Sequence, residues 1–304
     1  MSVFIEIAVG ELPGQVSLDA AAAIARAAED AGAAGLVIRD SVDGVRGTDP
    51  SVVGSYLAGR HAALAFVVEA PTTHNAPYNL ARRVLSFDRA TGGRVGVLLR
   101  PGDGDEVTDV ANAPPHESLA ESDRWVEYVR ILNGLWESFP ASALRGDQGN
   151  AVVADDTHIR PIDHDGDFYR VAGPLDGPSS PQGRPAVLAN DPSALGWDRV
   201  ARYADAVIVD EEQVSTADLE LAAAAERADR RRDDIALLAR TSSPASTRDS
   251  APVHATDGVT LLVTEFDDTT ADLIRAATDR YPHTPDSVTL RALLGLREIA
   301  GATR

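Results

Sequence analysis

The chain has 304 residues, 44% of them hydrophobic, and a formal net charge of −19. That is long enough for one large core, and the acid surplus argues against nucleic acid or an anionic membrane as partner. Cysteine is absent and all 28 basic residues are arginine, which removes disulfides, thiolate metal sites, cysteine nucleophiles, the P-loop lysine and every lysine Schiff base.

Val3 to Val9 is a β-rich apolar run, and Ser17 caps a predicted helix from Leu18 to Ala31 that ends at Gly32. Leu36 to Ile38 is a second short strand, followed by a glycine-containing loop, a helix near Ser51 to Arg60, and a third strand from Leu64 to Val68. Pro77 opens the next helix, with Tyr78, Leu80, Ala81, Val84 and Leu85 facing inward and Arg82, Arg83 and Asp88 outward. Gly92-Gly93 stop it before a fourth strand, Val95 to Leu99. Residues 101–116 have loop composition. Ser118 and Glu121 then have capping-box spacing, and Trp125, Val129, Leu132, Trp136 and Phe139 recur on one helical face.

Residues 140–184 interrupt the alternation as an insertion, with a β-hairpin from Ile159 to Val171 turning at Asp165-Gly166. Strands five to eight follow at Ala186–Ala189, Ala206–Val209, Ile235–Leu238 and Val259–Val263. Between them lie helices at Ser193–Tyr203 and about Thr216–Arg230, and a further helix spans Ala271–Tyr281. Residues 241–256 have loop composition where a seventh helix belongs, so that helix is expected to be missing or reduced; Val288 to Leu296 forms a short terminal helix. Alternating strands and helices predict a parallel sheet in one domain spanning 1–304, closed as a (β/α)8 barrel or open and doubly wound. No apolar run approaches the roughly 20 residues of a membrane span, and MSVFIEIAVGELPG lacks a signal-peptide pattern, so a soluble cytoplasmic protein is expected.

Residues 74–97 (HNAPYNLARRVLSFDRATGGRVGV), 127–139 (EYVRILNGLWESF), 158–190, ARYADAV at 201–207 and TLRALLGL at 289–296 together resemble the bacterial luciferase-like flavin monooxygenases. The similar branch contains the nitrilotriacetate, dimethyl-sulfide and dibenzothiophene-sulfone monooxygenases. The resemblance implies the closed TIM-type barrel. It also implies reduced FMN, supplied by a partner flavin reductase and bound at the barrel mouth, for oxygenation of a small organic substrate. A deazaflavin is a variant of the same reading. Homodimers are common in the family, and a heterodimer with an intact paralogue suits a chain that has lost catalysis.

In a barrel, function collects after the C-terminal ends of the strands: here Gly10, Asp40, Pro71-Thr72-Thr73, Leu98 to Arg100, Asn190 to Ser193, Asp210 and Glu265. By resemblance, Asp40 and Thr72 match flavin-site positions after strands two and three. Leu98 and Val97 stand where the family has an amide against the flavin ring, Ser122 where it has a tyrosine, and Asn190-Asp191-Pro192-Ser193 where small residues hold the phosphate. Asp191 brings a negative charge to that position and Pro192 removes an N–H, leaving Ser193 as the surviving contact or as a helix N-cap. The cofactor-binding candidates are therefore Asp40, Thr72, Leu98, Asn190 and Ser193, in an FMN site that looks degraded; no catalytic residue is assigned. A non-catalytic barrel, acting as a partner subunit or small-molecule binder, is the alternative. His158 and His164 lie among aspartates, but a hairpin explains them without a metal; His74 and His116 are loop candidates for acid–base work.

Overall fold

The computed structural model describes residues 1–102, 121–242, 256–281, 289–297 and 299. The expected loop at 101–116, Ser118, His116 and the 241–256 stretch lie wholly or largely outside them.

Eight parallel strands close into a barrel: β1 Ser2–Ala8, β2 Gly35–Arg39, β3 Ala65–Pro71, β4 Val95–Arg100, β5 Ala186–Asn190, β6 Ala206–Asp210, β7 Ala236–Thr241 and β8 Gly258–Leu262. Each pairs with its sequence neighbours, and β8 closes on β1 through partners such as Ser2 with Gly258 and Glu6 with Leu262. The open doubly wound sheet is thereby set aside. Helices α1 Leu18–Asp30, α2 Pro50–Ala58, α3 Pro77–Ala90, α4 Glu121–Glu137, α5 Pro192–Leu195, α6 Trp197–Tyr203, α7 Val214–Arg227, α8 Thr270–Arg280 and α9 Leu290–Leu293 accompany the strands. None of the described helices is long and apolar enough to cross a membrane.

The helices form because their apolar residues repeat at helical spacing. In α1, Ser17 accepts from the Ala20 amide and Ala21, Ile24, Ala25 and Ala28 are buried. In α4, Trp125 and Trp136 are fully buried and still satisfy their indoles, donating to the Leu99 and Ala81 carbonyls at 2.8 and 3.0 Å.

Asp88 departs from its expected outward placement on α3: it is fully buried. Its carboxylate accepts from the Val95 amide and the Gln182 side chain, at 2.8 Å each, and from the Ser180 hydroxyl. An acid read as solvent-facing is in fact the tie between α3, β4 and the returning chain of the insertion. Burial outweighs these hydrogen bonds and pushes its carboxyl up to about 6.

The insertion is larger in strand content than the sequence suggests. A hairpin pairs Leu144–Asp147 with Val152–Ala154, and a second pairs His164–Asp165 with Arg170–Val171. The second therefore turns over residues 166–169 rather than at Asp165-Gly166. Glu127 on α4 docks it, accepting from His164 Nε2 at 2.9 Å and from the Phe168 and Tyr169 amides at 3.1 and 2.8 Å. The predicted helix from Ser193 to Tyr203 is divided into α5 and α6 by Gly196, whose φ of 83° lies outside the helical region.

Two apolar clusters result. One packs strands against the surrounding helices. The other fills the barrel interior with Phe4, Val37, Val67, Leu98, Leu188, Ile208 and Leu238, and is floored by Leu290, Leu293 and Leu294 from α9 and its exit. A side chain at Gly96 would come within 2.6 Å of Leu290, so the bare backbone there lets α9 seat. The Ser2 hydroxyl donates to the Leu293 carbonyl, and the Leu290 amide donates to Gly93 at 2.9 Å.

Candidate functional site

Side chains along a strand alternate between faces, so the residue two beyond each inward apolar one also points into the barrel, one layer nearer the C-terminal mouth. From Phe4, Val37, Val67, Leu98, Leu188, Ile208, Leu238 and the inward Gly258, that step lands on Glu6, Arg39, Glu69, Arg100, Asn190, Asp210, Arg240 and Thr260. All eight strands become polar at this step.

The layer is knitted together by charge. Glu6, fully buried, accepts from Arg240 Nε at 3.0 Å on both oxygens and lies 3.6 Å from Arg39 Nε. Arg240 also reaches Asp210 at 3.4 Å. Burial disfavours its charge, but the Glu6 and Asp210 carboxylates outweigh that and raise the guanidinium's proton affinity. Glu69, 3% exposed, accepts from the Asp40 amide at 2.7 Å and Asn190 Nδ2 at 3.5 Å, with Arg100 Nε 3.8 Å away. Its carboxyl is pushed up, chiefly by burial and against the pull of the Asp40 amide, Arg39 and Arg100.

This layer brings together some of the residues singled out from the sequence. Asp40 Oδ2 meets Arg100 Nη2 at 3.4 Å, and Asn190 meets Glu69. Leu98 points inward beneath Arg100, registered against Glu69 on one side and Leu188 on the other, fully buried in the apolar layer. Thr72 is fully buried beside the mouth; its hydroxyl accepts from the Gly102 amide at 3.1 Å, and its carbonyl accepts from Tyr169 of the insertion at 2.6 Å. Ser193 stands apart, exposed on α5. It is not the N-cap: Asp191 holds that place, in the left-handed region with φ 47°, its carboxylate accepting from the Ala194 amide at 3.3 Å. Aspartate tolerates that backbone and caps well, which leaves Ser193 inside the first turn.

Arg39, Glu69 and Arg240 escape a reading that ends each strand at its last apolar residue, and Glu6, inside the first strand, is passed over as one acid in an apolar run. The signal is present nonetheless, as a lone charge inside or at the end of each apolar run: VFIEIAV, LVIRD, FVVEAP and LLART.

Flavin chemistry can be tested against this layer. Arg39 Nε, Arg100 Nε, Asn190 Oδ1 and Thr260 Oγ1 are buried without a hydrogen-bond partner. Leaving such atoms unmet costs about 1–3 kcal/mol each, so a ligand carrying both acceptors and donors on a flat rim would be welcome. An isoalloxazine edge has that character, and the donor set fits it. The turn after β5 does not fit a phosphate, because Asp191 offers a carboxylate, Pro192 no N–H, and the Ala194 amide is already taken.

The family described as luciferase-like monooxygenase matches residues 1–278. A dibenzothiophene-sulfone monooxygenase of Rhodococcus erythropolis is 32% identical over 162 residues, covering 52% of this chain but only 35% of that protein. The chain thus spans about a third of the length of that relative. One component of the pristinamycin IIA synthase of Streptomyces pristinaespiralis is 28% identical over 277 residues, 89% of this chain and 86% of that one. Among solved structures, an EDTA monooxygenase from Chelativorans sp. BNC1 superposes with a TM-score of 0.76 at 19% identity, covering 98% of both chains. The oxygenating constituent of a 3,6-diketocamphane monooxygenase of Pseudomonas putida, in complex with FMN, has a TM-score of 0.61 at 12% identity, covering 91% of this chain and 97% of that one. A coenzyme F420 dependent tetrahydromethanopterin reductase of Methanopyrus kandleri has 0.59 at 16% identity, with 80% and 68% covered. With the barrel, its polar mouth and a profile match over nearly the whole chain in agreement, this protein belongs to the luciferase-like monooxygenase family.

Proposed function

We propose that this chain is a reduced-flavin-dependent monooxygenase acting on a small organic substrate, with the flavin ring received by the polar layer at the barrel mouth. The observation that carries the reading is the set of buried, unmet polar atoms on Arg39, Arg100, Asn190 and Thr260, gathered on the inward face of four strands of a barrel of this family.

Reduced flavin, when bound, supplies the electrons for oxygen activation. The chain's own residues bind and orient. The Arg39 and Arg100 guanidiniums would donate to the electron-rich edge of a ring while staying within ion-pair reach of Glu6 and Glu69, Asn190 would supply an acceptor for a ring N–H, and Glu69 holds Asn190 and Arg100 in place. Beneath them Leu98, Val67, Leu188 and Phe4 form a dry floor that excludes water from below. Asp40, through Arg100, fixes the rim after β2. FMN fits the ring end and not the β5 turn, so its phosphate needs another anchor. A deazaflavin is accommodated by the same ring donors. Electrons would come from a flavin reductase partner.

The test is a titration with FMN, oxidised and dithionite-reduced, followed by flavin fluorescence and calorimetry. Binding at about micromolar Kd, weakened about tenfold by Arg100→Gln, supports the proposal. No binding at about 1 mM by the folded protein sinks it.

A second reading, a non-catalytic chain paired with an intact paralogue, is favoured by one finding. The relative matched almost end to end is named as one part of a synthase made of more than a single kind of chain, whereas the dibenzothiophene-sulfone monooxygenase matches over only about a third of its length. Co-purification with a flavin-binding paralogue, and absence of flavin binding by this chain alone, would select it.

A further inference from the structure

At the opposite end of the barrel, below the N-terminal ends of β5, β6 and β7, lies a hollow of about 370 Å³. Arg184, Arg230, Arg291 and Arg297 line it, with Arg202 at its side, around two acids, Asp205 and Asp234. Among the described residues that line it, five guanidinium groups against two carboxylates leave a local charge of about +3, in a chain whose overall charge is −19.

The two acids do not satisfy these cations. Asp205 is 2% exposed and is shared by Arg291 at 3.0 Å and Arg184 at 3.4 Å. Asp234 is met by Arg297 at 2.5 Å. Arg230 spends its donors on backbone carbonyls, those of Ala201 and Ala204 at 2.8 Å and of Asp234 at 2.7 Å. Among the described residues it has no carboxylate in ion-pair range. The side chain of Arg291 is only 7% exposed, yet its Nη1 has no hydrogen-bond partner, and neither has Arg184 Nε. Burial, together with the neighbouring Arg184 and Arg291 charges, pulls down the proton affinity of Arg230 against the help of Asp205 and Asp234. Buried, unpartnered N–H donors on residues lining a hollow, and a charge excess at the same point, both call for an acceptor that the described residues do not supply.

We propose that this hollow binds a small oxyanion carrying at least two negative charges, of the phosphate or carboxylate class, received by Arg291, Arg184 and Arg297. Guanidinium forks match the paired oxygens of either class, and an anion here relieves repulsion among the arginines that the two aspartates leave standing. The site is separate from the mouth and does not depend on flavin binding. Because Arg291 belongs to α9 and its Nε donates to the Arg297 carbonyl at 3.3 Å, a bound anion also tightens the floor of the barrel.

Calorimetric titration of the full chain with inorganic phosphate, pyrophosphate and citrate, in chloride buffer at fixed ionic strength, tests this. Saturable binding at one site is expected, with a Kd of about 0.1–1 mM for the best anion and a thermal midpoint that rises with its concentration. The ranking of phosphate and pyrophosphate against citrate identifies the class. Arg184→Gln and Arg297→Gln should each weaken binding about tenfold, and both leave the Arg291–Asp205 pair intact to hold the fold. Asn190→Ala at the mouth should leave the affinity unchanged. Absence of saturable heat for all three anions up to about 10 mM overturns the proposal, as does saturable binding that both arginine variants retain at full strength.

Discussion

The lower and upper layers of the barrel interior are made by the same strands only two residues apart, yet one is a hydrocarbon floor and the other a balanced set of three acids, three arginines, an amide and a hydroxyl. The difference teaches how the two ends divide their work. Below, Phe4, Leu98, Leu188 and Leu238 gain stability by leaving water and are sealed by α9. Above, Glu6 and Glu69 are taken out of water at a cost offset by arginines and, for Glu69, by the Asp40 amide and Asn190, and several polar atoms remain unmet. An arrangement that sacrifices stability at one level of one barrel is what the proposed flavin site would require.

The contrast can be broken hardest at Arg240. Arg240→Leu leaves the buried Glu6 carboxylate without its two hydrogen bonds, and chemical denaturation should show a loss of about 3–5 kcal/mol. Adding Glu6→Gln to that variant should recover part of the loss.

Asp88, a buried acid outside the mouth, gives the next effect. Its folded-state pKa of about 6 lies above the ordinary 3.8, so the folded protein keeps a proton that the unfolded chain releases. The contribution is full below about pH 4 and is lost as the pH rises to about 6, amounting to about 3 kcal/mol. Asp88→Asn should flatten that slope in denaturation curves collected across this range; an unchanged slope would remove Asp88 as its source.

In the lower layer, Leu238→Ala should cost about 2–3 kcal/mol through cavity formation and show no dependence on salt, unlike Arg240→Leu. Asn190→Ala should change stability by less than about 1 kcal/mol while weakening flavin binding about tenfold, since its Oδ1 is one of the unmet acceptors. Ser193→Ala is the smallest: stability within about 0.5 kcal/mol of the parent and unaltered flavin affinity, because Asp191 does the capping.

The existence and order of all eight strands are legible in the sequence because each carries a short apolar run bounded by turn residues. Several of their C-terminal ends are not. Leu64 to Val68 stops one residue short of Glu69, and Ile235 to Leu238 stops two short of Arg240, since an apolar run ends where the interior turns polar while the hydrogen-bonded ladder continues. The flavin-site candidates drawn from resemblance accordingly fall around the polar layer more than in it. Asp40 borders it, Leu98 underlies it, and only Asn190 belongs to it. Asp88 escapes for a different reason: its spacing of three, four and seven from Leu85, Val84 and Ala81 puts it on the buried face of α3, but its charge invites an outward reading, and the partners that receive it, Ser180 and Gln182, lie about ninety residues later.

The pairing of β1 with β8 has a consequence for synthesis. Ser2 waits for Gly258, so one edge of β1 stays unpaired while the intervening residues emerge, roughly 10–50 s at ordinary translation rates. A bare apolar edge is a template for misassociation, and a charge within it is a recognised deterrent. Glu6 sits in the middle of that edge, so the carboxylate that later anchors the mouth can also guard the nascent chain until its last strand arrives.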